Sequence, residues 1–140
     1  MKSSNLTSAE KYDNSLILIV EAVSGLREGM ERLLVKDGYR LLMASDEHSA
    51  AHAARLSPPD LILICLGEPP RDFIIAANRI REPAGLTDDV PVVTFCIKSV
   101  AEGEELAYGH NVYAISPDNF NQLRSFLKKL LDGFPHTLDS

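Results

Sequence analysis

The chain has 140 residues, 45% of them hydrophobic and 24% charged, with a formal net charge of −6. That is one domain of ordinary globular sequence; it excludes a disordered chain, and its acidity excludes a general nucleic-acid binder, because phosphate backbones select clustered Lys and Arg. Two cysteines are too few for a disulfide scaffold, and the longest apolar run, residues 61–66, is far short of the roughly 20 residues that span a membrane, so a cytoplasmic protein with no membrane contact is expected.

Residues 1–14 are polar and aperiodic and are expected to form a flexible tail. Leu16-Ile17-Leu18-Ile19-Val20 then runs apolar without alternation up to Glu21. Such a run predicts a strand covered on both faces, as in a parallel sheet. Leu26, Met30, Leu33 and Leu34 share one helical face, and Gly38 is placed to stop that helix. Residues 39–44 predict a second strand. Ser45 or Asp46 can cap the next helix, whose Ala50, Ala51, Ala53 and Ala54 allow close packing before Pro58-Pro59 ends it.

Asp60 opens a third strand over 61–66. A third helix is predicted from 71 or 72 to 81, with Phe73, Ala76, Ala77 and Ile80 inward. A loop containing Pro83 and Gly85 should follow over 82–89. Residues 90–96 predict a fourth strand, with Pro91 near its start, where the missing donor matters least. A short fourth helix is predicted over 101–108, where Glu102, Glu104 and Glu105 suit a helix N-terminus. Residues 112–115 read as a fifth strand. Phe120, Leu123, Leu127, Leu130 and Leu131 stripe a last helix over 119–131.

Strand and helix alternate five times. This implies an α/β domain over 15–132, a parallel sheet with helices on both faces, and a second flexible tail at 133–140. In such folds the ligand crevice lies beyond the carboxyl ends of the strands. The residues there are Glu21 and Ala22, Cys65 to Gly67, Cys96 to Ser99, and Ser116 and Pro117.

Four stretches carry a resemblance: Leu16-Ile17-Leu18-Ile19-Val20-Glu21, Pro59-Asp60-Leu61-Ile62-Leu63-Ile64, Val90-Pro91-Val92-Val93 and Tyr113-Ala114-Ile115-Ser116-Pro117. In order and spacing they resemble the receiver domains of response regulators in two-component signalling. The resemblance implies the flavodoxin-like receiver fold, a five-stranded parallel sheet of order 2-1-3-4-5 flanked by five helices. It also maps a phosphorylation site onto the chain. The family's two magnesium-holding acids correspond to Glu21 and Ala22, and its phospho-accepting Asp to Cys65. Its Thr or Ser corresponds to Cys96, and its Lys to Ser116, before the retained Pro117. The aromatic switch position is matched by Tyr113. The family's bond before that proline is usually cis, so a cis Ser116–Pro117 peptide is expected.

Four of these five site positions depart from the family. Magnesium wants about six oxygen ligands, and a carboxylate, a methyl group and a thiol do not provide them. Glu21 is at most a residual ligand, and no metal is expected. Asp60 cannot replace the acceptor, because it lies five residues earlier in the strand, roughly 16 Å away at about 3.3 Å per residue. The reading is a degenerate receiver, a pseudo-receiver without enzymatic activity, that signals through protein contact. Its expected partner is a histidine kinase or another signalling protein. A homodimer through the fourth helix, fifth strand and last helix is the further possibility.

A redox or small-ligand-binding domain using Cys65 and Cys96 stands as the alternative. Free cysteines are commonly buried core residues, and Lys98 is the one cation close in sequence to Cys96. The two thiols are expected to be free, close together and slow to react. No cofactor is expected: the Ala22-Val23-Ser24-Gly25 segment lacks the Ser, Thr and Gly richness of a flavin phosphate loop. His48 and His52 share a helix face, but without a third ligand they read as a solvated pair.

Overall fold

The computed structural model describes residues 14–21, 27–65, 71–95, 101, 103–116 and 119–132. In chain order the elements are β1 (Leu16–Glu21), α1 (Arg27–Lys36), β2 (Arg40–Ala44), α2 (Glu47–Leu56) and β3 (Leu61–Cys65). They continue with α3 (Phe73–Ala84), β4 (Val92–Phe95), β5 (Glu105–Gly109), β6 (Val112–Ile115) and α4 (Phe120–Leu131). The expected tails at 1–14 and 133–140 lie outside the described residues, apart from Asn14. Among the described residues no helix is long and apolar enough to cross a membrane.

One sheet of order β2-β1-β3-β4-β6-β5 organises the chain. Its first five members are parallel and reproduce the 2-1-3-4-5 order that the receiver resemblance implies. The apolar runs explain why. Ile17, Ile19, Leu61 and Leu63 face one layer of helices, and Leu18, Val20, Ile62 and Ile64 face the other. All eight are at most 1% exposed, so neither face of these strands meets water. The first layer is α1 and α4, through Met30, Leu34, Leu123 and Leu127. The second is α2 and α3, through Ala50, Ala54, Ala77 and Ile80.

Local chemistry sets the helix ends. Asp46 caps α2 in a reciprocal capping box, accepting from the Ser49 N–H at 2.8 Å. Asp72 caps α3 by accepting from the Ile74 and Ile75 N–H groups. The helix runs past Pro83 to Ala84, three residues beyond the expected end. Its stop is Gly85, left-handed at φ 76°, with the Leu86 N–H returning to the Arg81 carbonyl at 2.8 Å.

One expected element is replaced. The fourth helix predicted over 101–108 is absent; β5 lies there, antiparallel to β6. His110 (φ 54°) and Asn111 (φ 62°) form a two-residue turn of the type that matches strand twist. That turn aligns Leu106 with Ala114 and Ala107 with Tyr113. Leu106 and Phe73 pack against Ala114, and the Tyr108 ring stacks on Phe73 at 4.9 Å. Hairpin pairing and this two-residue periodicity outweigh the helix propensity of Glu104-Glu105-Leu106-Ala107. The described residues therefore hold six strands and four helices, against five and five expected. The proposed dimer face changes with them, since its first element is a strand. As the new sheet edge, β5 is blunted by a bulge between Ala107 and Gly109 and by the charge of Glu105.

Candidate functional site

The carboxyl ends of the parallel strands gather Glu21, Cys65 and Ser116. Glu21 ends β1 and Cys65 ends β3, and the two are register partners. Each is 3% exposed. Burial, reinforced by the Glu21 charge, pushes the Cys65 thiol up to about 12, so it stays protonated at neutral pH. Ser116 follows β6 and is also buried. Its N–H donates to the Glu104 carbonyl at 3.1 Å, and its carbonyl accepts from the Gly103 N–H. The hairpin ladder thus extends to the rim of the crevice.

Glu104 and Glu105, expected at a helix N-terminus, serve this rim instead, and Glu102 lies outside the described residues. Glu104 accepts from the Ala101 N–H at 3.1 Å. Gln122 of α4 donates to the Gly103 carbonyl at 2.8 Å and to the Glu105 carboxylate at 2.9 Å. Thr94, one residue before the end of β4, is buried, and no partner is found for its hydroxyl among the described residues. Ala22, Cys96, Lys98 and Pro117 lie outside the described residues, as do the expected cis bond and the approach of the second thiol.

A buried carboxylate beside a protonated thiol is a poor donor set for magnesium, which is hard and takes oxygen ligands. Among the described residues no three His, Cys, Asp or Glu side chains are grouped to hold a metal ion. Asp60 lies at the amino end of β3, where its carboxylate accepts from the Leu16 N–H at 2.8 Å. It is occupied at the opposite end of the sheet.

Tyr113 is half-buried against α4, edge-on to Phe126 at 5.5 Å. Its hydroxyl donates to Asn111 Oδ1 at 2.8 Å, away from the crevice, and burial raises its pKa. Asn111 belongs to a polar knot that the sequence reading missed. At its centre is Arg81, only 1% exposed. Arg81 Nη2 donates to the Val90 carbonyl at 2.6 Å and to the Asn111 carbonyl at 3.2 Å. The available signal was its place in the inward stripe of Ala77, Ile80, Arg81 and Ala84, a charge where the helix faces the sheet.

No protein-family model matches the chain. Against curated proteins it is 26% identical over 116 residues to the transcriptional regulatory protein KdpE of Staphylococcus aureus, covering 81% of this chain and 48% of that protein. The chain therefore spans about half the length of this relative. Among solved structures it is similar to the receiver domain of the hybrid histidine kinase CckA, with 25% identity and a TM-score of 0.59 over 83% of this chain and 98% of that one. It is also similar to the receiver domain of a sensor histidine kinase from Pseudomonas aeruginosa PAO1, solved with magnesium in its active-site cleft. There the identity is 21% and the TM-score 0.63, over 86% and 99% of the two chains. The chain thus has the receiver fold, and in sequence and structure it is similar to the receiver domains of response regulators and histidine kinases.

Proposed function

We propose that this chain is a receiver-like module of two-component signalling that works through protein contact, without phosphorylation at the usual aspartate position. The observation that carries the reading is Cys65. It stands at the end of β3 beside Glu21, buried and protonated, where a phospho-accepting carboxylate would be needed. Ala22 and Ser116 stand at the positions of the second magnesium-holding acid and of the lysine, so those two positions supply neither a carboxylate nor a cation. The folded unit is residues 15–132.

Its contact surface is the face built from β5, β6 and α4, and its partner is a histidine kinase or another signalling protein. A second copy of the chain is the other candidate for that face. The redox alternative is weaker, because a thiol with its pKa near 12 withholds the thiolate that oxidation needs.

Magnesium offers a direct test. A ligand at a hundred times its dissociation constant stabilises a protein by about 2.7 kcal/mol, which moves Tm by several degrees in a domain of this size. Millimolar magnesium chloride should leave the Tm of this chain where calcium-free, magnesium-free buffer puts it. A saturating rise of several degrees, abolished by Glu21→Gln, would show that the crevice still holds the ion and that the reading is wrong.

A further inference from the structure

The hairpin that stands where a fourth helix was expected gives the sheet an open edge. Among the described residues β2 and β5 are its two outer strands. In β2 only Arg40 is exposed, whereas in β5 only Leu106 is not. The antiparallel ladder fixes which backbone groups of β5 face outward. The Ser116 N–H donates to the Glu104 carbonyl at 3.1 Å, so these residues form a hydrogen-bonded pair. Such pairs alternate along an antiparallel ladder, and Leu106 opposite Ala114 is the next. Glu105 and Ala107, opposite Ile115 and Tyr113, therefore turn their N–H and C=O groups away from β6. No backbone partner is found for these groups among the described residues.

The two faces of this edge differ. Leu106 and Tyr108 lie on the α3 side, where the Tyr108 ring stacks on Phe73 and stays 39% exposed. Glu105 lies on the α4 side beside Gln122 and is exposed. Charge is one-sided as well. From residue 101 to residue 123 the sequence has no Lys or Arg, but it has Glu102, Glu104, Glu105 and Asp118. The bulge beyond Ala107 limits pairing to a short stretch, and Glu105 repels another acidic strand. A second copy would bring together two chains of net charge −6, with the same acids at the contact. A strand carrying Lys or Arg is attracted by them, since opposite charges across a strand pair are favourable.

We propose that the outer edge of β5 binds an extended segment of a partner protein by strand addition, the segment alternating basic with apolar residues. Its main chain exchanges hydrogen bonds with the N–H and C=O groups of Glu105 and Ala107. Its apolar side chains lie beside Leu106 and Tyr108, and its basic ones beside Glu105, because successive residues of a strand point to opposite faces. The proposal rests on reading the face of β5, β6 and α4 as the contact surface, and it names how a partner is held there.

A blocked peptide of alternating lysine and valine, titrated into the isotopically labelled chain, tests this by amide chemical shifts and amide exchange. Saturable shifts centred on β5 are expected, with exchange slowed most at the Glu105 and Ala107 N–H groups. Ala107→Pro removes an outward donor and none that β6 uses, so the hairpin should remain and the peptide should bind at least about tenfold more weakly. Glu105→Lys should weaken the lysine peptide severalfold and favour a peptide of alternating glutamate and valine. No saturable binding, shifts spread over acidic residues throughout the chain, or affinity unchanged in a variant whose spectrum is intact would each overturn the proposal. So would a dimer of the peptide-free chain that Ala107→Pro dissociates, because a second copy would then occupy the edge. Shifts confined to α4 would overturn strand addition while leaving the contact face standing. None of these outcomes bears on the crevice, which magnesium and a phosphodonor test separately.

Discussion

Arg81→Ala should lower the unfolding free energy by about 3–5 kcal/mol, the cost typical of breaking a buried charged network. The side chain is almost wholly enclosed, and three elements depend on it. Its Nε and Nη2 donate to the Val90 carbonyl, at 3.2 and 2.6 Å, just ahead of β4. Nη2 also reaches the Asn111 carbonyl in the hairpin turn, and Nη1 faces Asp88 at 3.5 Å. A hydrogen bond to a charged group is worth about 1.5–3 kcal/mol, and truncation also leaves acceptors and a void behind. Burial lowers the guanidinium pKa and Asp88 opposes that, but arginine stays charged throughout the accessible range. Arg81→Met keeps most of the volume and should cost less than Arg81→Ala, which separates lost packing from lost hydrogen bonds. Urea unfolding of the three proteins gives the answer. Amide exchange should rise first in β5 and β6, because the turn joining them loses its anchor. A loss below about 1 kcal/mol for Arg81→Ala would place the side chain on the surface instead.

The second large effect concerns reactivity. In a Cys96→Ser background, Cys65 should label with a thiol reagent at pH 8 at least about a thousand times more slowly in the native protein than in denaturant. The pKa alone accounts for that factor, since a rise from 9.0 to about 12 removes about three decades of thiolate. Enclosure between the sheet and its helices adds a steric barrier. The same shift has a consequence for stability. The folded state holds the thiol proton more tightly than the unfolded state, so the contribution is complete below pH 9. It is lost as pH rises from about 9 towards 12. Native labelling within tenfold of the denatured rate would mean that the end of β3 is open, and would revive the redox alternative.

Much of this architecture was legible in the sequence because the strands are so uniform. Leu16-Ile17-Leu18-Ile19-Val20 and Leu61-Ile62-Leu63-Ile64 cannot be satisfied with one face in water, and that dictates helices on both sides. The pairing of Glu21 with Cys65 followed from the strand order. The hairpin did not emerge because Glu104, Glu105 and Ala107 favour a helix locally. The competing signal was Leu106 and Tyr108 two residues apart, followed by Gly109-His110-Asn111, where asparagine tolerates a positive φ. Arg81 was missed for another reason: its partners are backbone carbonyls of Val90 and Asn111, which no side-chain pattern announces.

The proposed function turns on whether position 65 accepts a phosphoryl group. Incubating the chain with acetyl phosphate and magnesium, then recording its intact mass, decides this. The mass should stay unchanged, and the triple variant Ala22→Asp, Cys65→Asp, Ser116→Lys is the form in which an adduct should begin to appear. A single phosphoryl adduct on the unaltered chain, mapped to Cys65 or Glu21, would contradict it.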